Sequence, residues 1–212
     1  MKIYRVAIAG YGVVGKRRAR IVESLPNLKL VCVCDSAFVD TSKKVDGLNC
    51  FTDYLEMIDN ELIDILFVCL TNDINAEVTK AGLERGMHVF CEKPPGRDVR
   101  ELLSVIEVEK RHPSLKLMYG FNHRHHHSIR EALAIINSGD LGPLLNLRGI
   151  YGKSKLITFD QTDWRTKRDV AGGGVLLDQG IHMLDLMRLF AGEFHTVKSI
   201  VKNTYWGFDV ED

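Results

Sequence analysis

The chain has no apolar run approaching the roughly 20 residues that cross a bilayer as a helix. A membrane partner is therefore not expected. It also lacks an excess of either charge: Lys and Arg number 28, Asp and Glu 28, and the formal net charge is zero. Nothing in that balance favours nucleic acid or an anionic surface. The opening residues, Met1-Lys2-Ile3-Tyr4-Arg5, run straight into a strand pattern without the small-residue cleavage site of a secretory signal. A cytoplasmic location is the expectation. Repeats, low-complexity tracts and Pro/Ser-rich linkers are missing as well. The cysteines contain no Cys-x-x-Cys: Cys32-Val33-Cys34 has one intervening residue, and Cys50 precedes Phe51 in a loop region. A redox or zinc motif is thereby excluded, and buried free thiols in a reducing compartment are expected.

What is present is a core-forming composition, 45% hydrophobic over 212 residues, enough for one large domain or two small ones. The first part alternates strand and helix. Strand patterns cover Ile3–Ala9, Leu28–Cys34, Ile63–Leu70, His88–Cys91 and Leu115–Tyr119. Helical patterns cover Lys16–Ser24, Tyr54–Ile58, Ala76–Arg85 and Arg97–Arg111. Such alternation predicts an α/β fold, a parallel sheet with helices on both faces. The pattern changes near Gly120. A histidine-rich stretch leads into a helix over Ile129–Asn137, then strand candidates at Leu145–Tyr151 and Lys198–Trp206. Two domains are expected, 1–120 and 121–212.

Gly10-Tyr11-Gly12-Val13-Val14-Gly15 follows the first strand and opens the first helix. In that context G-x-G-x-x-G is a dinucleotide fingerprint. Gly10 permits the turn, Gly12 lets backbone near a pyrophosphate, and Gly15 lets helix pack on strand. Val13 and Val14 lie within the fingerprint, just ahead of the helix, whose free N–H groups carry partial positive charge. Asp35, with Ser36 beside it, ends the second strand, where an acid binds ribose hydroxyls. That acid favours NAD over NADP, although Lys16, Arg17, Arg18 and Arg20 keep NADP open. Those four are read as a solvated helix face. Thr71 and Asn72, after the third strand candidate, are further cofactor contacts.

Two more features carry chemistry. Cys91-Glu92-Lys93-Pro94-Pro95 ends the fourth strand candidate, at the carboxyl rim where ligands of such sheets bind. Gly172-Gly173-Gly174 makes a turn where backbone can approach another molecule closely. The helix after it places Asp178 and His182 four apart on one face. By themselves these two are either a proton-transfer pair or a capping aspartate and a buried histidine.

Together these motifs resemble the glucose–fructose oxidoreductase / inositol dehydrogenase (Gfo/Idh/MocA) family. The resemblance rests on Gly10-x-Gly12-x-x-Gly15, Glu92-Lys93-Pro94, Phe121-Asn122-x-Arg124, Trp164-Arg165, and Gly172-Gly173-Gly174-x-Leu176-x-Asp178-x-Gly180-x-His182-x-x-Asp185. It implies a Rossmann domain, then an α/β domain with an open, mostly antiparallel sheet. It implies an NAD(P)-dependent oxidoreductase moving hydride between nicotinamide and a sugar, cyclitol or nucleotide-sugar. It also implies a catalytic set of Lys93, Asp178 and His182, a Lys93–Pro94 bond that is often cis, and a homo-oligomer, dimer or tetramer, built through the C-terminal sheet. Glu92 and Lys93 join the cofactor contacts.

In that setting His182, with an ordinary pKa of about 6.5, is the base at neutral pH. Lys93 stabilises the developing charge on the reacting oxygen. Asp178 orients His182 or binds a substrate hydroxyl, and Asp185 packs or caps. Asn122, Arg124, Tyr151, Lys153, Trp164 and Arg165 are candidate substrate contacts beside Lys93, Asp178 and His182. The run His123-Arg124-His125-His126-His127 is read as an interdomain segment with no metal, because consecutive extended residues point to opposite sides.

Three departures stand out. Asn75 replaces the histidine usual after the third strand. Pro95-Gly96 replaces a bulky apolar residue. Family members run on through further strands where this chain stops at Glu211-Asp212, so the second domain is read as truncated. Three alternatives stay open beside the dehydrogenase reading: an NAD-dependent glycosidase of the same family, a non-catalytic NAD or sugar sensor, and an inactive fragment.

Overall fold

The computed structural model describes residues 2–39, 44–45, 47–152 and 163–212. The chain divides into two units, Met1–Gly120 and Phe121–Asp212.

In the first unit six strands form one parallel sheet: β1 (Tyr4–Ala9), β2 (Leu28–Cys34), β3 (Asn49–Phe51), β4 (Ile65–Val68), β5 (His88–Cys91) and β6 (Leu117–Tyr119). Their order is β3-β2-β1-β4-β5-β6. This is the doubly wound order, with its switch point between β1 and β4. The helices are α1 (Val13–Ser24), α2 (Tyr54–Asn60), α3 (Asn72–Glu84) and α4 (Val99–Arg111).

The central strand shows why the sheet is two-sided. Val6, Ala7, Ile8 and Ala9 are all fully buried, and successive side chains point to opposite faces. Ala7 and Ala9 pack with α2, α3 and α4 through Met57, Val78, Leu83, Val105 and Val108. Val6 and Ile8 pack with α1 through Ala19 and Val22. Burial pushes the thiols of Cys32, Cys34 and Cys91 up to about 12, so they stay neutral packing groups.

Several boundaries differ from the expectations. Cys50 lies in β3, not in a loop, and is buried; a three-residue edge strand is too short to show alternation. Helix α3 begins at Asn72 rather than Ala76, because its first turn buries polar Asn72 and Asn75 and so lacks an apolar signal. Helix α4 begins at Val99 because Asp98 caps it, accepting the Glu101 N–H at 3.0 Å. Arg97 stays outside, its N–H donating to the Glu101 carboxylate at 2.7 Å.

Asp64, just ahead of β4, accepts the Arg5 backbone N–H at 2.8 Å and Arg5 Nε at 3.0 Å. The guanidinium bonds, then the backbone bond, hold its carboxyl down to about 2. The folded state therefore favours the carboxylate. Its contribution is complete above the unfolded carboxylate range near about 4 and is lost as pH falls through about 2. Melting temperatures taken stepwise through that window should fall less steeply in Asp64→Asn than in the parent chain. Parallel curves would remove this pair from the acid response.

The second unit is helical among the described residues. A 3₁₀ turn (Asn122–His125) leads into α5 (His127–Ser138), which ends on left-handed Gly139 at φ 76°. A 3₁₀ turn (Trp164–Thr166) precedes the short α6 (Arg168–Ala171). One π-helical turn (Leu176–Gly180) then runs directly into α7 (Ile181–Ala191).

The expected antiparallel sheet is not formed there: 145–151 and 198–206 contain no strand. Alternation provides an apolar face but no ladder partner, and isolated pairs of strands are marginal in water. Leu145 and Ile200 accordingly stand 90% and 88% exposed. The first of these segments does pack locally. A Cβ on Gly149 would come within 2.7 Å of the Met183 methyl on α7.

Candidate functional site

The glycine loop joins β1 to α1 at the switch point. Gly10 has φ 90°, and a Cβ on it would overlap the carbonyl of Cys69. Its N–H donates to Cys34 O at 2.8 Å. A Cβ on Gly15 would overlap the carbonyl of Gly10. A Cβ on Gly12 would meet nothing within 4 Å. Gly12 also precedes an α1 N-terminus that no side chain caps. Beside it Val13 is 71% exposed and Val14 is exposed too. The two outer glycines thus serve packing, while the middle one leaves an open surface at the uncapped helix N-terminus.

Asp35 follows β2 and reaches back to this loop. Its Oδ2 accepts the Tyr11 N–H at 2.8 Å and its Oδ1 the Ala37 N–H at 2.9 Å. The carboxylate is therefore anchored at the loop, and Ser36 is exposed next to it. Arg18 departs from the solvated-face reading. Its Nε donates to Glu92 Oε1 at 2.7 Å, its Nη2 bonds the same oxygen, and its guanidinium lies 4.8 Å over the Phe90 ring.

That pairing holds the end of β5, where Glu92 N–H donates to Val68 O at 2.8 Å. A Cβ on Gly120 would lie 2.7 Å from Glu92 Oε2, so a larger residue after β6 would push this carboxylate aside. The Lys93–Pro94 bond is cis. Asn75, 1% exposed, donates from Nδ2 to Pro94 O at 3.1 Å and clasps the turn that carries Lys93. Thr71 occupies the cap position of α3, and Asn72 is buried in its first turn. The glycine loop, Thr71, Asn72, Glu92 and Lys93 thus follow the carboxyl ends of β1, β4 and β5, on one rim of the sheet.

In the second unit His182 is the second residue of α7 and 5% exposed. Its ring stacks on His123 at 4.0 Å and meets the edge of Phe121 at 6.2 Å. Tyr151 lies nearly parallel to His123 at 6.0 Å. Asp178 lies in the π-helical turn. Its Oδ2 accepts Gln179 Nε2 at 2.7 Å, with Arg165 Nε 3.9 Å away. Arg165 lies 4.3 Å over Trp164 and 3.4 Å from Asp163. A regular α-helix was expected through Asp178 and His182. The wide turn changes the angular spacing on which that same-face argument rested.

Arg124 is engaged by Asp185, with Nε to Oδ2 at 2.7 Å and a second bond from Nη2. The packing role expected of Asp185 is thus an ion pair. Asn122 opens the first 3₁₀ turn and is exposed. Lys153 lies outside the described residues. The approach that the Gly172–Gly174 turn admits is made by the chain itself. Val175 N–H donates to Glu211 O at 3.2 Å, and a Cβ on Gly174 would overlap that carbonyl. A pocket beside Asp178 and Arg165 is walled by Trp206, Phe208 and Glu211.

Comparison with known proteins decides what this arrangement belongs to. Residues 4–121 match the Gfo/Idh/MocA oxidoreductase family with its NAD-binding Rossmann fold, and residues 129–212 match the Gfo/Idh/MocA C-terminal domain. The chain belongs to the Gfo/Idh/MocA family.

Similar curated members include a levoglucosan dehydrogenase of Pseudarthrobacter phenanthrenivorans, 25% identical over 95% of this chain and 54% of that protein. A D-glucoside 3-dehydrogenase of Escherichia coli is 30% identical over 95% of this chain and 57% of its own length. Among solved Gfo/Idh/MocA structures, the scyllo-inositol dehydrogenase of Lactobacillus casei with bound NAD(H) and scyllo-inositol superposes with a TM-score of 0.73. It is 25% identical, over 90% of this chain and 57% of that one. The chain spans about half the length of the curated relatives it matches. As a Gfo/Idh/MocA chain, its first unit is an NAD-binding Rossmann domain. Among the described residues no helix is long and apolar enough to cross a membrane.

Sequence reasoning missed four participants. Arg18 and Asn75 act through partners distant in sequence. Gln179 holds Asp178, and His123 stacks on His182. Asn75 left a signal as a departure from the family pattern, and His123 left one in the histidine run.

Proposed function

We propose that this chain carries the dinucleotide site and the proton-handling residues of an NAD-dependent dehydrogenase for a cyclitol or sugar hydroxyl. The observation that carries the reading is the glycine loop. Of its three glycines only Gly12 faces open space, at an uncapped helix N-terminus on the switch-point rim. The surroundings fit a dinucleotide. Gly12, Val13 and Val14 would hold its pyrophosphate, Asp35 and Ser36 its adenosine ribose, and Thr71, Asn72, Glu92 and Lys93 the rim toward the nicotinamide. Asp35 repels a 2′-phosphate, so NAD is preferred over NADP. The dehydrogenases among its relatives point to a CH–OH substrate.

NAD, when bound, supplies the hydride acceptor. The chain's own task is then the hydroxyl proton and the charge left on oxygen. His182 takes the proton as a neutral imidazole. Lys93 hydrogen-bonds the same oxygen and offsets its developing negative charge. Asp178, steadied by Gln179, accepts a hydrogen bond from a neighbouring substrate hydroxyl. Trp164, Arg165 and Tyr151 supply further substrate contacts.

The test is a titration of the chain with NADH and NADPH, followed by a panel of cyclitols, sugars and nucleotide-sugars read by absorbance of reduced nicotinamide. Binding of NADH in preference to NADPH, with net reduction of NAD by at least one polyol, is the expected result. Absence of dinucleotide binding defeats the reading.

A further inference from the structure

Lys93 lies beyond the end of its strand. β5 stops at Cys91, and Glu92 N–H still donates to Val68 O at 2.8 Å, but Lys93 itself belongs to the irregular turn that follows. A group on a turn is placed less precisely than one on a strand or helix, and lysine adds a flexible four-carbon stem. Both residues flanking Lys93 are gripped by side chains from helices. On one side Arg18 of α1 donates from Nε to Glu92 Oε1 at 2.7 Å, with Nη2 on the same oxygen. Its guanidinium lies 4.8 Å over Phe90, which stacks on Phe67 of β4 at 5.0 Å. On the other side Asn75 of α3 donates from Nδ2 to Pro94 O at 3.1 Å. We propose that Arg18 and Asn75 are positioning residues for Lys93: they form a two-sided clamp, closed on Glu92 and on Pro94, that fixes the backbone from which the lysine reaches the reacting oxygen. The inference rests on Lys93 having the charge-stabilising role in the function proposed above.

Two grips do what one does not. With Glu92 alone held, rotation about the next backbone bonds swings the Lys93 side chain. With Pro94 held as well, the Lys93 Cα has little freedom to move, and the direction of its Cβ is set before the side chain orders. The grips differ in chemistry. The first is charge-assisted, and a planar guanidinium resting on an aromatic floor loses little further freedom on bonding. A Cβ on Gly120 would lie 2.7 Å from Oε2, the other oxygen of the gripped carboxylate, so Gly120 leaves room for it. The second grip is a neutral bond closed off from water, with Asn75 1% exposed, and solvent does not replace it when it is lost. Helices α1 and α3 follow β1 and β4 at the proposed dinucleotide rim. The clamp therefore ties Lys93 to the frame that holds the cofactor.

The test measures kcat of the full chain at saturating NAD and polyol, together with amide hydrogen exchange read by NMR. The chains are the parent, Arg18→Met, Arg18→Lys, Asn75→Leu and Lys93→Ala, with Arg18→Met and Asn75→Leu also made in the Lys93→Ala chain. Methionine keeps an apolar stem on Phe90 and leucine fills the Asn75 volume, so each removes a polar grip with little loss of packing. Exchange at the Glu92 and Lys93 amides should quicken about tenfold or more in either variant, while the amides of Val6 to Ala9 keep the parent rate. Turnover should fall by about tenfold or more in each, since a misplacement of about 1 Å costs up to about 10²-fold. Arg18→Lys keeps a charge for Glu92 without the planar fork and should recover part of the loss. In the Lys93→Ala chain the same substitutions should cost less than about twofold further, because the group they place is gone. A purely structural role would cost as much in both backgrounds. Losses that add in full, a loss confined to KM, or exchange at the parent rate in either variant overturns the inference. So does parent-like kcat in either variant where Lys93→Ala is slow. The exchange measurement needs no turnover. Quickened exchange beside a Lys93→Ala chain of unchanged kcat upholds the grip on the turn and overturns the charge-stabilising role of Lys93.

Discussion

Replacing His182 with alanine is expected to lower turnover by about 10²–10⁴-fold, the range a positioned general base contributes. NADH affinity should stay within about twofold. The reason is that contacts within its own unit hold the dinucleotide loop, among them Gly10 to Cys34, Asp35 to Tyr11, and Arg18 to Glu92. None of these involves His182. Because His182 is buried against His123 and Phe121, alanine also leaves a cavity, and some loss of stability accompanies the lost base. His182→Phe fills the space, keeps an aromatic face toward His123 and removes only the titrating group, so its kinetic defect should match. Lys93→Ala should cost about 10²–10³-fold in kcat, as loss of one oxyanion donor does. A defect confined to KM would instead make Lys93 a uniform binder of substrate. Unchanged turnover in His182→Phe, with the protein folded, would remove the proton-transfer assignment altogether.

The first unit was legible because its signals are local. Val6 to Ala9 form one unbroken apolar run, the glycine spacing sits between strand and helix, and Asp35 closes the second strand. What escaped is what local sequence does not encode. Arg18 looks like any basic residue on a helix face until the fold brings Glu92 beneath it. Asn75 looks like a departure from a family histidine, yet its amide reaches Pro94 and clasps the turn beside Lys93. Asp35 has the expected position and an additional task, holding Tyr11 of the loop.

The second unit was less legible for a different reason. Alternating apolar residues at 145–151 and 198–206 predict one face of a sheet, but a strand also needs a partner, and alternation does not say which. Gly174 is the instructive case. The triple glycine was read as an approach for another molecule, and the group that approaches is the backbone of Glu211.

Gly15→Ala and Gly12→Ala should fail in opposite ways. At Gly15 the new methyl overlaps the carbonyl of Gly10 and touches Ile8 Cγ2 at 3.4 Å. Backbone is the obstacle, and it has little room to retreat. Gly10 is itself packed against the Cys69 carbonyl and bonded to Cys34. Helix α1 would have to lift from β1, at a cost of about 3 kcal/mol or more, the upper range of overpacking. Urea unfolding should show this as a lower midpoint, with NADH binding retained by whatever fraction stays folded. At Gly12 the methyl meets nothing within 4 Å, and φ is −75°, which any residue adopts. The stability cost is limited to about 1 kcal/mol, the penalty of alanine at a helix N-cap. The same methyl, however, stands on the open surface where a pyrophosphate must come within hydrogen-bonding distance of backbone N–H groups. NADH affinity should therefore fall by about tenfold or more, since 1.4 kcal/mol of lost phosphate contact already gives that factor. If Gly12→Ala binds NADH as tightly as the parent, the open surface at Gly12 is not the dinucleotide site. If Gly15→Ala is as stable as the parent, helix α1 does not rest on β1 as closely as the overlap requires.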